Sequence, residues 1–296
     1  MNHSKNIPNL FVIGAPKCGT TSMIHYLSQH PRIYVSPVKE PHFFNEDSGH
    51  RFYFSMKDYL NLFTENDSFD YRAEGSVWYL YSKVAIENIL KFNSRARFVV
   101  MLRDPVSMYF SLHQELLYGG NEDEHSALVA WELQDERRKG NKIPLGCSDP
   151  RFLQYGKACS LGEQLNFAMK KIPSQQIHYV FLEDIKKDPD SEFKKVLDFL
   201  DVESLELEDY VVVNKKKTRK SYALSRFLIA ATALKKKLGI KGGLGVANAI
   251  NKRNVNHDVA IDTSERALLT PRLHAFFKND IALLERITHR DLSHWK

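Results

Sequence analysis

Short apolar runs alternate along the chain with stretches in which apolar positions recur every three or four residues. The runs predict buried strands at Leu10–Ile13, Ile33–Val35, Arg97–Leu102 and Ile177–Leu182. The helical spacing predicts helices at Thr20–Gln29, Asp104–Leu117, Glu192–Leu200 and Ser264–Ile287. Strands that alternate with helices are typical of βαβ units. We therefore predict an α/β fold with a central, mostly parallel β-sheet flanked by helices.

Domain organisation is indicated by the stretches that break this pattern. Residues 118–150 are polar and lack a strand, which predicts a helical insertion or lid. The basic stretch Asn214–Lys220 (NKKKTRK) is followed by a predicted helical C-terminal region, residues 222–296. Since a chain of this length can bury a large core, we expect a single domain over residues 1–296.

Composition and charge narrow the classes of function. With 43% hydrophobic and 26% charged residues, the chain is typical of a globular protein and not of a disordered, collagenous or disulfide-scaffold protein. Its 42 Lys and Arg residues against 36 Asp and Glu residues give a net charge of +6, which favours anionic ligands. One basic cluster with few interleaved aromatic residues is a weak nucleic-acid footprint, so we expect no nucleic-acid partner.

The cysteines and the lengths of the apolar runs indicate in which cellular compartment the protein is expected. Cys18, Cys147 and Cys159 form neither a zinc pattern nor an even disulfide set, so we expect reduced thiols and no metal site. No apolar run approaches the ~18 residues that a membrane span needs. The sequence therefore predicts a soluble, cytoplasmic protein and leaves its oligomeric state open.

The segment Gly14–Ser22 (GAPKCGTTS) lies between a predicted strand and a predicted helix, where backbone N–H groups can converge on an anion. A Walker A loop reads G-x-x-x-x-G-K-[ST], but here Thr20 takes the lysine position and Lys17 stands earlier in the loop. After the predicted strand Arg97–Leu102, Arg103 precedes Asp104, unlike the acidic end of a Walker B strand. A magnesium-dependent nucleotide triphosphatase is disfavoured, and a small-molecule kinase stays as an alternative.

This loop resembles the 5′-phosphosulfate loop of sulfotransferases that use 3′-phosphoadenosine-5′-phosphosulfate (PAPS), and it is similar to bacterial members related to carbohydrate and heparan-sulfate-type enzymes. The resemblance implies a P-loop NTPase-like three-layer fold, PAPS as the sulfuryl donor, adenosine 3′,5′-bisphosphate as a product, and no required metal. It also implies nucleotide contacts from Lys17, Cys18, Gly19, Thr20, Thr21 and Ser22. Hydrogen-bond donors on such a loop can stabilise the charge that grows on the bridging oxygen, and Lys17 would be the strongest of them.

A second motif, Leu102–His113 (LRDPVSMYFSLH), resembles the segment of the family that binds the 3′-phosphate. The resemblance implies that Arg103 and Ser111 bind this phosphate, Arg103 through a bidentate guanidinium. The basic stretch before the C-terminal region resembles the nucleotide-covering loop of the family, in which Arg219 and Lys220 would reach the same phosphate. A solvated run of charges explains that stretch equally well.

The segment Val38–Phe44 (VKEPHFF) resembles the part of heparan-sulfate-type enzymes that carries the glutamate base. Glu40 is at the matching place, and a carboxylate beside Lys17 could remove the proton of an attacking hydroxyl. His42 matches a histidine of the same family segment and would orient the acceptor or share the proton. The sequence leaves open which of the two is the base, and a surface carboxylate paired with Lys39 and a packed histidine are the structural alternatives.

Two segments depart from the family pattern and bear on the acceptor. In the first, Gly75 stands where heparan-type enzymes often carry a lysine and Val77 stands where they have proline; in the second, Ala158 stands where many relatives have an aromatic residue. Together the motifs predict transfer of the sulfuryl group of PAPS to a hydroxyl of a carbohydrate or glycan-like acceptor. The alternatives are a small-molecule or lipid sulfotransferase, a small-molecule kinase, and a nucleotide- or glycan-binding module without turnover.

Overall fold

The computed structural model describes residues 6–64, 66, 68–207 and 263–295, and the backbone of residues 218–219 and 255–256. The chain divides into two compact units. The first comprises Met1–Met108, Ser160–Asn214 and Lys278–Lys296, and the second comprises Tyr109–Cys159 and Lys215–Phe277. The single domain that we expect over residues 1–296 stays a prediction.

The sheet of the first unit is parallel throughout. Over the described residues it has five strands: β1 (Leu10–Val12), β2 (Ile33–Val35), β3 (Tyr71–Glu74), β4 (Arg97–Leu102) and β5 (Ile177–Phe181). Their order is β2-β3-β1-β4-β5. Leu10 pairs with Ala73 on one side and with Arg97 on the other, so β1 is the central strand. The predicted parallel sheet is confirmed, and β1, β2, β4 and β5 lie where the apolar runs predict them.

Strand β3 escapes the sequence pattern because polar residues occupy its buried positions. Arg72 and Glu74 are only 7% and 1% exposed. The Arg72 guanidinium donates hydrogen bonds to the backbone carbonyls of Thr64, Asn66 and Phe69. Burying a polar side chain is tolerated once its hydrogen bonds are made, and these partners come together only in the folded chain.

The helices of the described chain include the four that the periodicity predicts. They are α1 (Thr20–Ser28), α2 (Met56–Leu60), α3 (Ala85–Phe92), α4 (Pro105–Gly119), α5 (Ala127–Glu132), α6 (Gln134–Arg138), α7 (Tyr155–Ala158), α8 (Leu161–Met169), α9 (Leu182–Lys187), α10 (Pro189–Leu200) and α11 (Thr263–Thr288). Helix α10 begins earlier than predicted because Asp188 caps it, accepting a hydrogen bond from Ser191 N at 3.0 Å, and because Pro189 suits a first helical position.

The second unit contains most of α4, all of α5, α6 and α7, and the first part of α11. It also has a two-stranded antiparallel sheet of β6 (Thr218–Arg219) and β7 (Val255–Asn256). Helices α5 and α6 lie within the predicted insertion 118–150, whose role as a lid stays a prediction. In the predicted helical region 222–296, α11 is helical, β7 is a short strand, and the rest of 222–262 lies outside the described residues. No helix in the described part of the chain is long and apolar enough to cross a membrane.

Candidate active site

The phosphate loop, residues 14–19, connects the carboxyl end of β1 to the start of α1. Its two terminal glycines have positive φ angles, 132° at Gly14 and 93° at Gly19. A Cβ atom at Gly14 would lie 2.4 Å from the Val77 carbonyl oxygen, and one at Gly19 would lie 2.7 Å from Leu182 Cδ1. Glycine suits both positions in conformation and in space, which gives the spacing of the motif a steric basis.

Hydrogen bonds tie this loop to the neighbouring strand β4. Ala15 N donates to Met101 O at 2.8 Å, and Met101 N donates to Gly14 O at 2.6 Å. Just beyond β4, Arg103 Nη1 donates to Lys17 O at 3.0 Å. Two of the basic residues that the sequence assigns to the nucleotide, Lys17 and Arg103, are therefore in contact at the carboxyl edge of the sheet, through the Lys17 backbone.

The start of helix α1 is suited to an anion. No side chain in the described part of the molecule caps it, and its first turn holds no acidic residue. The first backbone N–H groups of a helix lack intrahelical acceptors, and here they belong to Thr20, Thr21 and Ser22. The Cys18 thiol is different: it is buried within 3.9 Å of Met108 Sδ, and burial raises its pKa to about 12. This thiol is therefore neutral and packed in the core.

The base segment, residues 38–44, follows strand β2. His42 Nε2 lies 3.4 Å from Glu40 Oε2, and the Lys39 ammonium lies 3.2 Å from Glu40 Oε1. Burial raises the pKa of Glu40, but the His42 ring and the Lys39 ammonium outweigh burial, so that the net shift is downward. Glu40 is ionised at neutral pH, as a carboxylate base must be.

Exposure separates the two candidate bases. The Glu40 side chain is 22% exposed, whereas the His42 side chain is fully buried. Within the described residues, His42 Nδ1 has no hydrogen-bond partner. The ring packs against His50, with ring centroids 4.8 Å apart. An incoming hydroxyl can therefore reach Glu40 more directly than His42.

One pocket lies between the start of helix α1 and the base segment. Its lining comprises Thr20, Thr21, Ile24, Val35, Ser36, Val38, Lys39, Glu74 and Gly75. These residues come from the start of α1, the end of β2 and the end of β3, which meet because the strands are parallel and adjacent. The structure thus brings Thr20 and Thr21 together with Lys39, the neighbour of Glu40.

Glu74 is a residue of this pocket that the sequence analysis misses. It accepts hydrogen bonds from Ser76 Oγ at 2.6 Å, Tyr79 Oη at 2.9 Å and Tyr59 Oη at 3.0 Å. Burial raises its pKa to about 7, although the three hydroxyl groups oppose that shift. A glutamate followed at short spacing by Ser76 and Tyr79 is the one sequence signal that could indicate such a cluster.

The two departures from the family pattern have different surroundings. A Cβ atom at Gly75 would lie 2.8 Å from Ile24 Cγ1, so Ile24 occupies the space that a longer side chain would need. Lys39 lines the same pocket and supplies a cation there. Ala158 is buried in α7 of the second unit.

Of the predicted nucleotide contacts, Thr20 and Thr21 line this pocket, and three others belong to the second unit. Ser111 is half-buried in α4, in the part of that helix that belongs to the second unit. Arg219 pairs with Val255 through its backbone, and its side chain lies outside the described residues, as does all of Lys220. Their roles stay predictions. In the described ranges, no group of three or more His, Cys, Asp or Glu side chains is placed to hold a metal ion.

A parallel sheet whose central strand leads through a glycine loop into an uncapped helix defines a P-loop NTPase-like α/β protein. The sequence matches the family model described as sulfotransferase domain over residues 8–237. The chain belongs to the sulfotransferase family. The predicted fold class and family are confirmed.

Several sulfotransferases are similar to this chain. Human heparan sulfate glucosamine 3-O-sulfotransferase 3B1 (Homo sapiens) is 24% identical over 217 residues, which cover 72% of this chain and 51% of that protein. Human carbohydrate sulfotransferase 15 is 26% identical over 222 residues, which cover 60% of this chain and 38% of that protein. The chain thus spans about half, or less, of the length of these curated relatives. A crystal structure of a sulfotransferase from Alicyclobacillus acidocaldarius has a TM-score of 0.70 at 25% identity and covers 98% of both chains.

Proposed function

We propose that this protein transfers the sulfuryl group of PAPS to a hydroxyl group of a carbohydrate or glycan-like acceptor. The observation that carries the proposal is the shared pocket, in which Thr20 and Thr21 face the same space as Lys39, the residue beside Glu40. A donor bound at the start of α1 and an acceptor bound at Glu40 would therefore lie next to each other, which removes the need for them to meet by diffusion. The family and its carbohydrate-sulfating relatives support the same reaction.

The residues around the loop fit a nucleotide that carries two anionic groups. Lys17 and the N–H groups at the start of α1 suit the 5′-phosphosulfate, since the helix start is uncapped. Arg103 suits the 3′-phosphate, because its guanidinium lies beside Lys17 and can form a bidentate contact. When bound, PAPS supplies an activated sulfuryl group. Lys17 would then stabilise the negative charge that develops on the departing phosphate oxygen.

Glu40 is the base in this proposal. Its carboxylate takes the proton of the acceptor hydroxyl while the hydroxyl oxygen forms its bond to sulfur. The bond from sulfur to the bridging oxygen breaks, and its electron pair stays on the 5′-phosphate. His42 Nε2, at 3.4 Å from Glu40 Oε2, orients the carboxylate. The neighbouring charge of Lys39 keeps Glu40 ionised before the acceptor arrives.

A small-molecule or lipid acceptor is the second candidate. The observation that favours it is the place of Ile24, which fills the space next to Gly75 and gives the pocket an apolar wall. Heparan-type enzymes often carry a lysine at that position, so the acceptor of this protein need not be a highly sulfated polysaccharide. A screen of acceptor extracts with labelled PAPS and mass detection distinguishes the two classes.

Nucleotide binding tests the donor side. We expect adenosine 3′,5′-bisphosphate to raise the melting temperature and ATP with magnesium to leave it unchanged. Arg103→Ala should weaken bisphosphate binding by about 2–4 kcal/mol, the range for truncating a buried charged hydrogen bond. Arg95→Ala is the matched control, because Arg95 is exposed and precedes β4 where Arg103 follows it. Equal or greater stabilisation by magnesium ATP would favour the kinase alternative.

Steady-state kinetics test the base. Glu40→Gln keeps the shape but removes the basic oxygen, so kcat should fall by on the order of 10²–10⁴ with bisphosphate affinity nearly unchanged. His42→Ala should lower kcat less. Glu46→Gln is the control, since Glu46 lies nearby but its side chain is 60% exposed. If His42→Ala abolishes turnover and Glu40→Gln does not, histidine is the base; if neither matters, the segment only forms a wall of the acceptor site.

A further inference from the structure

Two residues of the base segment have a backbone conformation that residues other than glycine rarely adopt. Glu40 and His42 have φ angles of 57° and 49°, in the left-handed region, and neither is glycine. Such residues persist only where surrounding contacts over-determine them. The contacts that hold this segment therefore decide where the Glu40 carboxylate points.

Two hydroxyl groups bind three successive backbone N–H groups of the segment. Ser76 Oγ accepts from His42 N at 3.0 Å. Tyr79 Oη accepts from Phe43 N at 2.9 Å and from Phe44 N at 3.2 Å. All five residues are buried, so these bonds are shielded from water. The Ser76 and Tyr79 side chains are thus the anchors of the segment.

The Ser76 and Tyr79 hydroxyl groups both donate their one proton to the carboxylate of Glu74. Ser76 Oγ donates to Glu74 Oε2 at 2.6 Å, and Tyr79 Oη donates to Glu74 Oε1 at 2.9 Å. A hydroxyl has one proton and two lone pairs. With the proton directed at Glu74, the lone pairs are left for the backbone N–H groups, so the carboxylate fixes the orientation in which both hydroxyls serve as acceptors.

We propose that Glu74 is the positioning residue of the base: through Ser76 and Tyr79 it holds residues 42–44 and so sets the geometry at which Glu40 meets the acceptor. The inference rests on the proposed function, because it assigns Glu74 to the same reaction. Glu74 itself takes no proton from the acceptor. The hydrogen bonds from three hydroxyls favour the ionised form that this role needs, against burial, which raises the pKa of Glu74 to about 7.

A matched pair of tyrosine variants tests the proposal. Tyr59→Phe and Tyr79→Phe each remove one fully buried hydroxyl that donates to Glu74 Oε1, at 3.0 Å and 2.9 Å. Only the Tyr79 hydroxyl also binds the base segment. We expect Tyr79→Phe to lower kcat by about 10–100-fold, the cost of a misplaced catalytic group, and Tyr59→Phe to lower it by less than about threefold. KM for PAPS should change little in both.

The rate of amide hydrogen exchange at Phe43 and Phe44 reports on the hydrogen bonds from these two N–H groups to Tyr79 Oη, and it requires no enzyme turnover. Exchange should be faster in Tyr79→Phe, which loses the hydroxyl, and unchanged in Tyr59→Phe. It should also be faster in Glu74→Gln, because the amide NH₂ of glutamine is a hydrogen-bond donor and faces one hydroxyl where the carboxylate has an acceptor. Ser76→Ala, which removes the bond to His42 N, is the second variant if Glu74→Gln does not fold.

The outcomes separate this inference from the proposed function. Equal losses of kcat in the two tyrosine variants, or exchange that is the same in Tyr79→Phe and wild type, would overturn the positioning role. If wild-type protein binds adenosine 3′,5′-bisphosphate but sulfates no acceptor, the proposed function fails, while the exchange rates still decide whether Glu74 holds the segment.

Discussion

Glu74 in the first unit and Glu122 in the second are both buried carboxyl groups that accept hydrogen bonds from tyrosine hydroxyls. Glu122 also faces a cation, since Arg137 Nη1 and Nη2 donate to it at 2.6 and 2.5 Å, and Tyr155 Oη donates at 2.7 Å. Burial raises the pKa of Glu122, but Arg137, together with hydrogen bonds from the Glu124 backbone and Tyr155, outweighs burial and the net shift is downward. Glu74 has hydroxyl donors instead, and its pKa is raised to about 7.

The difference shows how a neighbouring cation changes the pKa, and so the charge, of a buried carboxyl group. With Arg137 in place, Glu122 is ionised at neutral pH, and the two side chains of the pair are buried, at 0% and 1% exposed. The pair gives the stretch 118–150 a polar core of its own. Among the described residues no cation pairs with Glu74, which lines the pocket next to the base segment, so pH sets its charge. The first arrangement serves structure, and the second leaves a group whose protonation can matter to a site.

Removing the cation should have the largest effect on this comparison. Arg137→Met leaves Glu122 charged and buried without its partner, and we expect the free energy of unfolding to fall by about 3–5 kcal/mol in chemical denaturation. Arg138→Met is the control, because Arg138 forms a surface ion pair with Asp135 and should change stability by no more than about 0.5 kcal/mol. Comparable losses in the two variants would show that the buried pair has no special role.

The pH dependence of stability should distinguish the two glutamates by sign. The pKa of Glu74 is raised in the folded state, so between about pH 4.5 and about pH 7 this carboxyl group is protonated to a greater extent in the folded chain than in the unfolded chain. Its contribution to the free energy of unfolding therefore falls as pH rises through that window, by on the order of 3 kcal/mol at about 1.4 kcal/mol per unit. Glu122, whose pKa is lowered, contributes stability that is present above the unfolded pKa and lost as pH falls through the folded pKa.

The variant that isolates the Glu74 contribution is Glu74→Gln. Its free energy of unfolding, followed by denaturation across the same pH window, should change less steeply than that of the wild type. Asp280, whose pKa burial raises to about 6, contributes with the same sign and stays in both proteins, so the difference between the two profiles reports Glu74. Parallel profiles would show that Glu74 does not titrate in this window.

The comparison also shows where sequence reasoning reaches and where it stops. Apolar runs and glycine spacing are local signals, and they predict β1, β4 and the phosphate loop where the structure has them. They miss β3, because Arg72 and Glu74 are polar and an apolar run does not reveal the hydrogen bonds that allow their burial, such as the bond from Tyr59 Oη to Glu74 Oε1. The resemblance to a family indicates Glu40, but the carboxyl that holds its segment becomes visible only through the hydrogen bonds.

Removing one tyrosine hydroxyl from each glutamate compares the strength of a single hydrogen bond to Glu122 with that of one to Glu74. Tyr155→Phe removes a hydrogen bond to a carboxylate that is ionised at neutral pH, and it should lower the free energy of unfolding by about 1.5–3 kcal/mol at both about pH 6 and about pH 8. Tyr59→Phe removes one to Glu74, which is mostly neutral at about pH 6, and should then lower it by about 0.5–1.5 kcal/mol. At about pH 8 Glu74 is mostly ionised, so the loss in Tyr59→Phe should approach that in Tyr155→Phe. Denaturation of both variants at the two pH values measures this convergence, and a gap that does not narrow would mean that the charge of Glu74 is as fixed as that of Glu122.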